Sequence, residues 1–185
     1  MGKLVIGLMV AGVFLFATNA FAVVGIDANT VLMLHFNGND GSTNFVDSSF
    51  GNRSVTANGN AQIDTAQSKF GSASGLFDGA GDYLSLADSD DWNFGSGDFT
   101  IDSWVRYNRL TDATIVCQRQ DENNFWEFQY DPGDHWLVFR ITSNDRYTLF
   151  SACPWTPNTN TWYHLALNRL GSGDTSDDWR MFIDG

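Results

Sequence analysis

Two glutamates, three prolines and two cysteines are all that this chain of 185 residues holds of those types. Basic side chains are scarce as well, 10 Lys and Arg against 22 Asp and Glu, for a formal net charge of −12. Such a surface repels phosphate backbones, so nucleic acid is excluded as a partner. Past the first 22 residues no stretch repeats its apolar side chains at a helical spacing, and little helix is expected. No internal repeat is visible. No Gly-x-Ser-x-Gly elbow occurs, and neither cysteine has a partner at a zinc-ligand spacing. The Asp88-Ser89-Asp90-Asp91 cluster lacks the glycine and the terminal glutamate of an EF-hand loop, and reads as a loop with an Asx-type turn. His35, His135 and His164 each sit in or beside an apolar strand, where a hydrogen-bonded structural histidine is the ordinary outcome.

What is present points to one β domain. Hydrophobic residues make up 43% of the chain, aromatic residues 15%, and there are 18 glycines. That is apolar enough for a core and turn-rich enough for short strands. The aspartates stand largely beside Gly, Ser and Asn, where they build turns. The most legible stretch runs from Gly75 to Tyr107. Leu76–Leu84 reads as strand, glycine turn and strand. From Phe99 onward, Phe99, Ile101, Ser103, Val105 and Tyr107 share one face, and Thr100, Asp102, Trp104 and Arg106 the other. Further strands are expected over 31–36, near Val55, over 61–64, and over 114–119, 125–130, 135–142, 146–151, 161–169 and 179–183.

At the start, Lys3, the apolar run from Leu4 to Ala17 and the Ala20-Phe21-Ala22 ending read as a secretory signal peptide cut between Ala22 and Val23. Residues 23–30 are then a short leader and 31–185 the domain. The product is expected to be secreted or held at the cell surface, with no membrane span once the signal is removed. In an oxidising setting Cys117 and Cys153 could bridge. A meander through the strands above puts them on non-neighbouring strands, which leaves two buried thiols as the alternative. The closing Asp184-Gly185 is a hairpin signal with no strand after it, so a longer chain with further domains is expected.

The succession Leu34-His35-Phe36-Asn37-Gly38, Asp47-Ser48-Ser49, Lys69-Phe70-Gly71, Leu76-Phe77-Asp78-Gly79, Asp82-Tyr83-Leu84, Gly97 to Val105, Trp162-Tyr163-His164-Leu165-Ala166 and Phe182-Ile183-Asp184-Gly185 resembles a laminin-G-like domain of the concanavalin A-like lectin/glucanase superfamily. The resemblance covers Val31 to Gly185. It implies a two-sheet antiparallel jelly-roll sandwich, all-β, here lacking its last C-terminal strands. It implies binding of glycans or extracellular proteins more often than catalysis. It also implies a calcium ion placed by loops, for which Asn37, Asp40 and Asp47 are the candidate ligands.

Glycoside hydrolysis needs two carboxyl groups, roughly 5–5.5 Å apart for retention and 6.5–9.5 Å for inversion. The glucanase pattern of alternating carboxylates is broken here, because Phe125–Asp131 supplies Glu127 but has Gln129 where a second acid would stand. No catalytic residue is assigned. Ligand binding rests instead on aromatic side chains, which stack on the apolar face of a sugar ring, and on polar groups that fix its hydroxyls. The candidates are Trp126, Glu127, Gln129, Trp136, Arg140 and Tyr147. Glu127, Gln129 and Arg140 are expected to line one concave surface, while Trp104, Trp162 and Trp179 are expected in the core. The leading expectation is a non-catalytic recognition or adhesion module. The alternatives are a glucanase-like hydrolase and a structural domain of a surface or viral appendage.

Overall fold

The computed structural model describes residues 3–6, 10–17, 26–144, 146–171 and 175–185. In chain order the strands are β1 (Lys3–Ile6), β2 (Val10–Ala17), β3 (Thr30–Leu34), β4 (Val55–Asn58), β5 (Gln62–Asp64), β6 (Ser74–Leu76) and β7 (Tyr83–Leu86). There follow β8 (Phe99–Arg106), β9 (Ala113–Arg119), β10 (Phe125–Asp131), β11 (Trp136–Ser143), β12 (Arg146–Pro154), β13 (Trp162–Arg169) and β14 (Trp179–Ile183). The helical turns described are two short 3-10 segments, Asp90–Trp92 and Ser176–Asp178. The first falls in the Asp88–Asp91 cluster and is capped by the Ser89 hydroxyl, which accepts from the Asp91 amide.

Two antiparallel sheets form a jelly-roll sandwich. The larger runs β12-β11-β10-β9-β1-β7-β4, the smaller β14-β13-β8-β2-β3, and β5 pairs with β6 apart from both. Their inner faces are the alternating positions legible in the sequence. Phe99, Ile101, Ser103, Val105 and Tyr107 are all buried, as are Trp126, Phe128 and Tyr130 of β10 and Leu137 and Phe139 of β11. Each such large apolar side chain contributes about 1.5–3 kcal/mol through its removal from water. One charge is buried with them. The Arg169 guanidinium, in a residue only 5% exposed, donates to the carbonyls of Gly97 and Phe94 and lies 4.8 Å from the Phe99 ring centroid. Burial lowers its pKa, with Asp98 and Asp178 acting in the opposite sense.

One sequence expectation meets a different arrangement. Trp104 and Trp162 are not core residues. Because Ser103 and Val105 point inward, Trp104 stands on the outer face of the smaller sheet with Asp102 and Arg106. There the Lys69 ammonium lies 4.1 Å from its ring centroid, Phe70 meets it edge-on at 5.5 Å, and His164 lies at 5.2 Å. Trp162 is half-buried on β13, whereas Trp179 is in the core as expected. Cys117 and Cys153 sit on non-neighbouring strands as the meander implies, β9 and β12 with β10 and β11 between them, and no disulfide joins them. The segment read as a leader contributes two described strands to the sandwich. β1 is paired on both sides, with β7 and β9, and β2 likewise with β3 and β8. Leu4 is fully buried in the core. A short continuous apolar run suits an interior strand as well as it suits a leader, and periodicity does not separate the two. Ala22 and Val23 lie outside the described residues. Among those residues no helix is long and apolar enough to cross a membrane.

Candidate functional site

The outer face of the larger sheet carries the polar side chains that alternation excludes from the core. On β10 these are Phe125, Glu127, Gln129 and Asp131; on β11, Trp136, Val138, Arg140 and Thr142 follow from the register Glu127↔Arg140 and Asp131↔Trp136. β9 pairs Cys117 with Glu127 and Arg119 with Phe125. Its register then shifts, so that Thr114 rather than Ile115 stands opposite Gln129. Ile115 and Val116 are both buried in the core, which marks a β-bulge.

Glu127 is the centre of this face. Only 3% exposed, it forms an ion pair with Arg140 and accepts from Arg119 Nη2 at 3.5 Å. The Arg119 guanidinium also lies 4.0 Å from the Phe125 ring centroid. A buried carboxylate needs such partners, since an unpaired charge there would be expelled or neutralised. Arg119 is the more loosely tied and more exposed of the two cations.

Beside Glu127 opens a cleft of about 330 Å³. Glu127, Arg119, Cys117 and Thr114 line it from β9 and β10; Phe77, Gly79, Gly81, Asp82 and Tyr83 line it from the β6–β7 turn; Thr111 and Asp112 complete it. Tyr83 is 37% exposed and offers an aromatic surface. The turn is tightly built. Asp82 accepts from the Asp78 amide at 2.8 Å, and Arg109 donates to the Asp78 carbonyl at 2.8 Å. Gly79 has φ of +78°, a left-handed backbone conformation that favours glycine. Hydrogen bonds to Asp78, foremost from the Ala80 amide, hold its carboxyl below the ordinary range.

The structure therefore brings Glu127, Gln129, Arg140 and Trp136 onto one face, and of these it places Glu127 in the cleft. Trp126 does not join them. It is buried in the core and donates its indole N–H to the Trp92 carbonyl at 3.1 Å. Its parity is opposite to that of Glu127, so an inner position is what alternation demands. Tyr147 pairs through its backbone with Thr142, while its side chain lies outside the described residues. Sequence reasoning missed Arg119, Asp82, Tyr83 and Asp112. The Asp78–Tyr83 turn reads as a sandwich corner, yet the same glycines that turn the chain also let it approach the sheet and wall the cleft.

The loop carboxylates are occupied with structure. Asp47 is buried and accepts from the amides of Met33, Ser49 and Arg53 at 3.0, 2.9 and 2.9 Å and from the Ser49 hydroxyl at 2.8 Å. Burial presses its pKa upward, but those hydrogen bonds outweigh it and hold the carboxyl below its ordinary value. Asp40 accepts from the Thr65 amide and hydroxyl, and the Asn37 carboxamide lies against Gly71. The candidate calcium ligands thus serve separate local networks. Among the described residues no three His, Cys, Asp or Glu side chains gather as a metal-holding group.

A laminin-G-like family model, described as the concanavalin A-like lectin/glucanases superfamily, matches residues 78–185. The chain belongs to that superfamily. The matched span contains β7 to β14 and, from the cleft, Gly79, Asp82, Tyr83, Arg119 and Glu127 among others. No curated protein and no solved structure matches the chain.

Proposed function

We propose that the chain is an extracellular, non-catalytic recognition module that binds carbohydrate in the cleft between the Asp78–Tyr83 turn and the β9–β10 face. The observation that carries this reading is the composition of the cleft. An exposed Tyr83 ring stands beside the hydrogen-bonding groups of Asp82, Asp112 and Arg119 in a volume of about 330 Å³, sized for one or two sugar rings. Laminin-G-like domains bind glycans or extracellular proteins, and the reading is in keeping with that.

Hydrolysis is the rival. It needs one carboxyl free to give up a proton. Glu127 is committed to Arg140 and Arg119, and Asp131 accepts from the Gly133 and Asp134 amides at 2.9 and 3.3 Å as a turn residue. That commitment favours binding over cleavage. The deciding experiment is a glycan array followed by incubation with each sugar bound. Binding that falls about tenfold or more in Tyr83→Ala and Arg119→Ala, without new reducing ends, is the expected outcome. Reducing ends that vanish in Glu127→Gln would overturn it in favour of a hydrolase, and binding untouched by both substitutions would move the site elsewhere.

A further inference from the structure

The cleft beside Glu127 does not end at Arg119. Tyr83, Cys117 and Arg119 also line a second cleft, of about 560 Å³, which reaches Gln120, Asp121 and Glu122 in the β9–β10 turn. Three shared residues make the two hollows one groove. It begins at Thr111 and Asp112, just before β9, and ends on the turn just after that strand. At the rise of a strand, the seven residues of β9 alone span about 20 Å.

The groups along this groove follow a definite order. Tyr83 and Arg119 belong to both halves, the first with its partly exposed ring and the second with a guanidinium steadied from beneath by Glu127 and the Phe125 ring. Asp82, Asp112 and Thr114 line one half. Gln120 and Glu122, both exposed, line the other. Their turn is held in shape by its own bonds: the Gln120 amide donates to the Asn124 carbonyl at 3.0 Å, and Asp121 accepts from the Asn123 amide at 2.8 Å and the Asn124 carboxamide at 3.0 Å. Hydrogen-bonding side chains therefore stand on both sides of the aromatic ring. A stacking surface in the middle of a groove, rather than at its end, suits a sugar ring that has neighbours attached on either side.

We propose that the groove binds an interior stretch of a linear polysaccharide, with one ring stacked on Tyr83 and its neighbours running toward Asp112 in one direction and Glu122 in the other. This rests on the carbohydrate reading and adds the class of ligand, a polymer chain rather than a terminal sugar. Each further ring adds contacts without a second loss of translational freedom, so affinity should climb with chain length until the groove is full. Because no chain end is needed, many copies can occupy one polymer.

The test titrates the full chain by calorimetry with the dimer-to-hexamer series of β-glucan, xylan, mannan, galactan and galacturonan. In the series that binds, affinity is expected to rise at least tenfold from dimer to hexamer. Gln120→Ala combined with Glu122→Ala, which removes exposed turn side chains and leaves the core intact, should erase most of that gain, while Tyr83→Ala should weaken every member. Sedimentation with the long polymer should show many protein chains on each molecule. Equal affinity for dimer and hexamer, a gain untouched by the turn substitutions, or occupancy limited by the number of polymer ends would each overturn the proposal. In those cases the carbohydrate reading survives wherever Tyr83→Ala weakens binding. If no series binds, both fall.

Discussion

Glu127 and Arg140 stand opposite each other on β10 and β11, and the carboxylate that is nearly lost to solvent is joined there to a guanidinium that is not. Their pairing fixes the polar face from beneath while leaving Arg119, the second cation, turned toward the cleft.

Arg140→Ala strips Glu127 of its main partner and should cost about 2 kcal/mol in urea unfolding, less than a fully buried pair because Arg140 is partly solvated and Arg119 remains. Adding Glu127→Gln should recover part of that loss. A double variant as unstable as the sum of the singles would show that the two are not coupled.

Asp47 makes stability depend on acid. Its folded pKa lies below the unfolded value of about 3.9. Its contribution is therefore complete above the unfolded pKa and is lost as pH falls through the depressed folded one. Asp47→Asn should cost about 2–4 kcal/mol at neutral pH, since donors around it lose an acceptor. The gap between wild type and variant should narrow in denaturation curves taken on acidification through and below pH 4. A gap that stays constant would argue against this role.

Trp104 anchors the Lys69-Phe70 loop on the outer face of the smaller sheet. Trp104→Ala should destabilise the fold by about 1 kcal/mol. It should also speed tryptic cleavage after Lys69 more than cleavage elsewhere, as read by mass spectrometry of a limited digest.

Thiol titration should find both cysteines in denaturant without reductant. In the native protein Cys153, which is half-buried, should react before the buried Cys117. A single intact disulfide in the purified chain would contradict the strand order of the larger sheet.

How far the sequence led can be judged from particular residues. The inner row of β8 was legible because one face is apolar and the other is not, so alternation fixes it without further knowledge. Glu127, Gln129 and Arg140 followed from the same parity. Trp104 was misplaced although alternation already sets it with Asp102 and Arg106, away from the core row; what covers it there, Lys69 and Phe70, is distant in the chain. Asp47 shows the same limit: the Asp-Ser-Ser turn was visible, its bond to the Met33 amide was not. The cleft was missed for a related reason. Tyr83 and Glu127 are 44 positions apart, and only the sheet order brings their strands toward one another.

The bulge in β9 has a consequence for how this strand can change over time. Thr114 and Cys117 both line the cleft although an odd number of positions separates them, because Ile115 is one residue in excess. Losing it would restore a regular ladder and keep every remaining side chain on its own face, where a deletion in an ordinary strand reverses them all. Such a chain should still fold, but with a flatter sheet and a shallower cleft. A one-residue length difference at this point, among descendants of a common ancestor, would therefore mark a change in what the face can hold rather than a damaged fold.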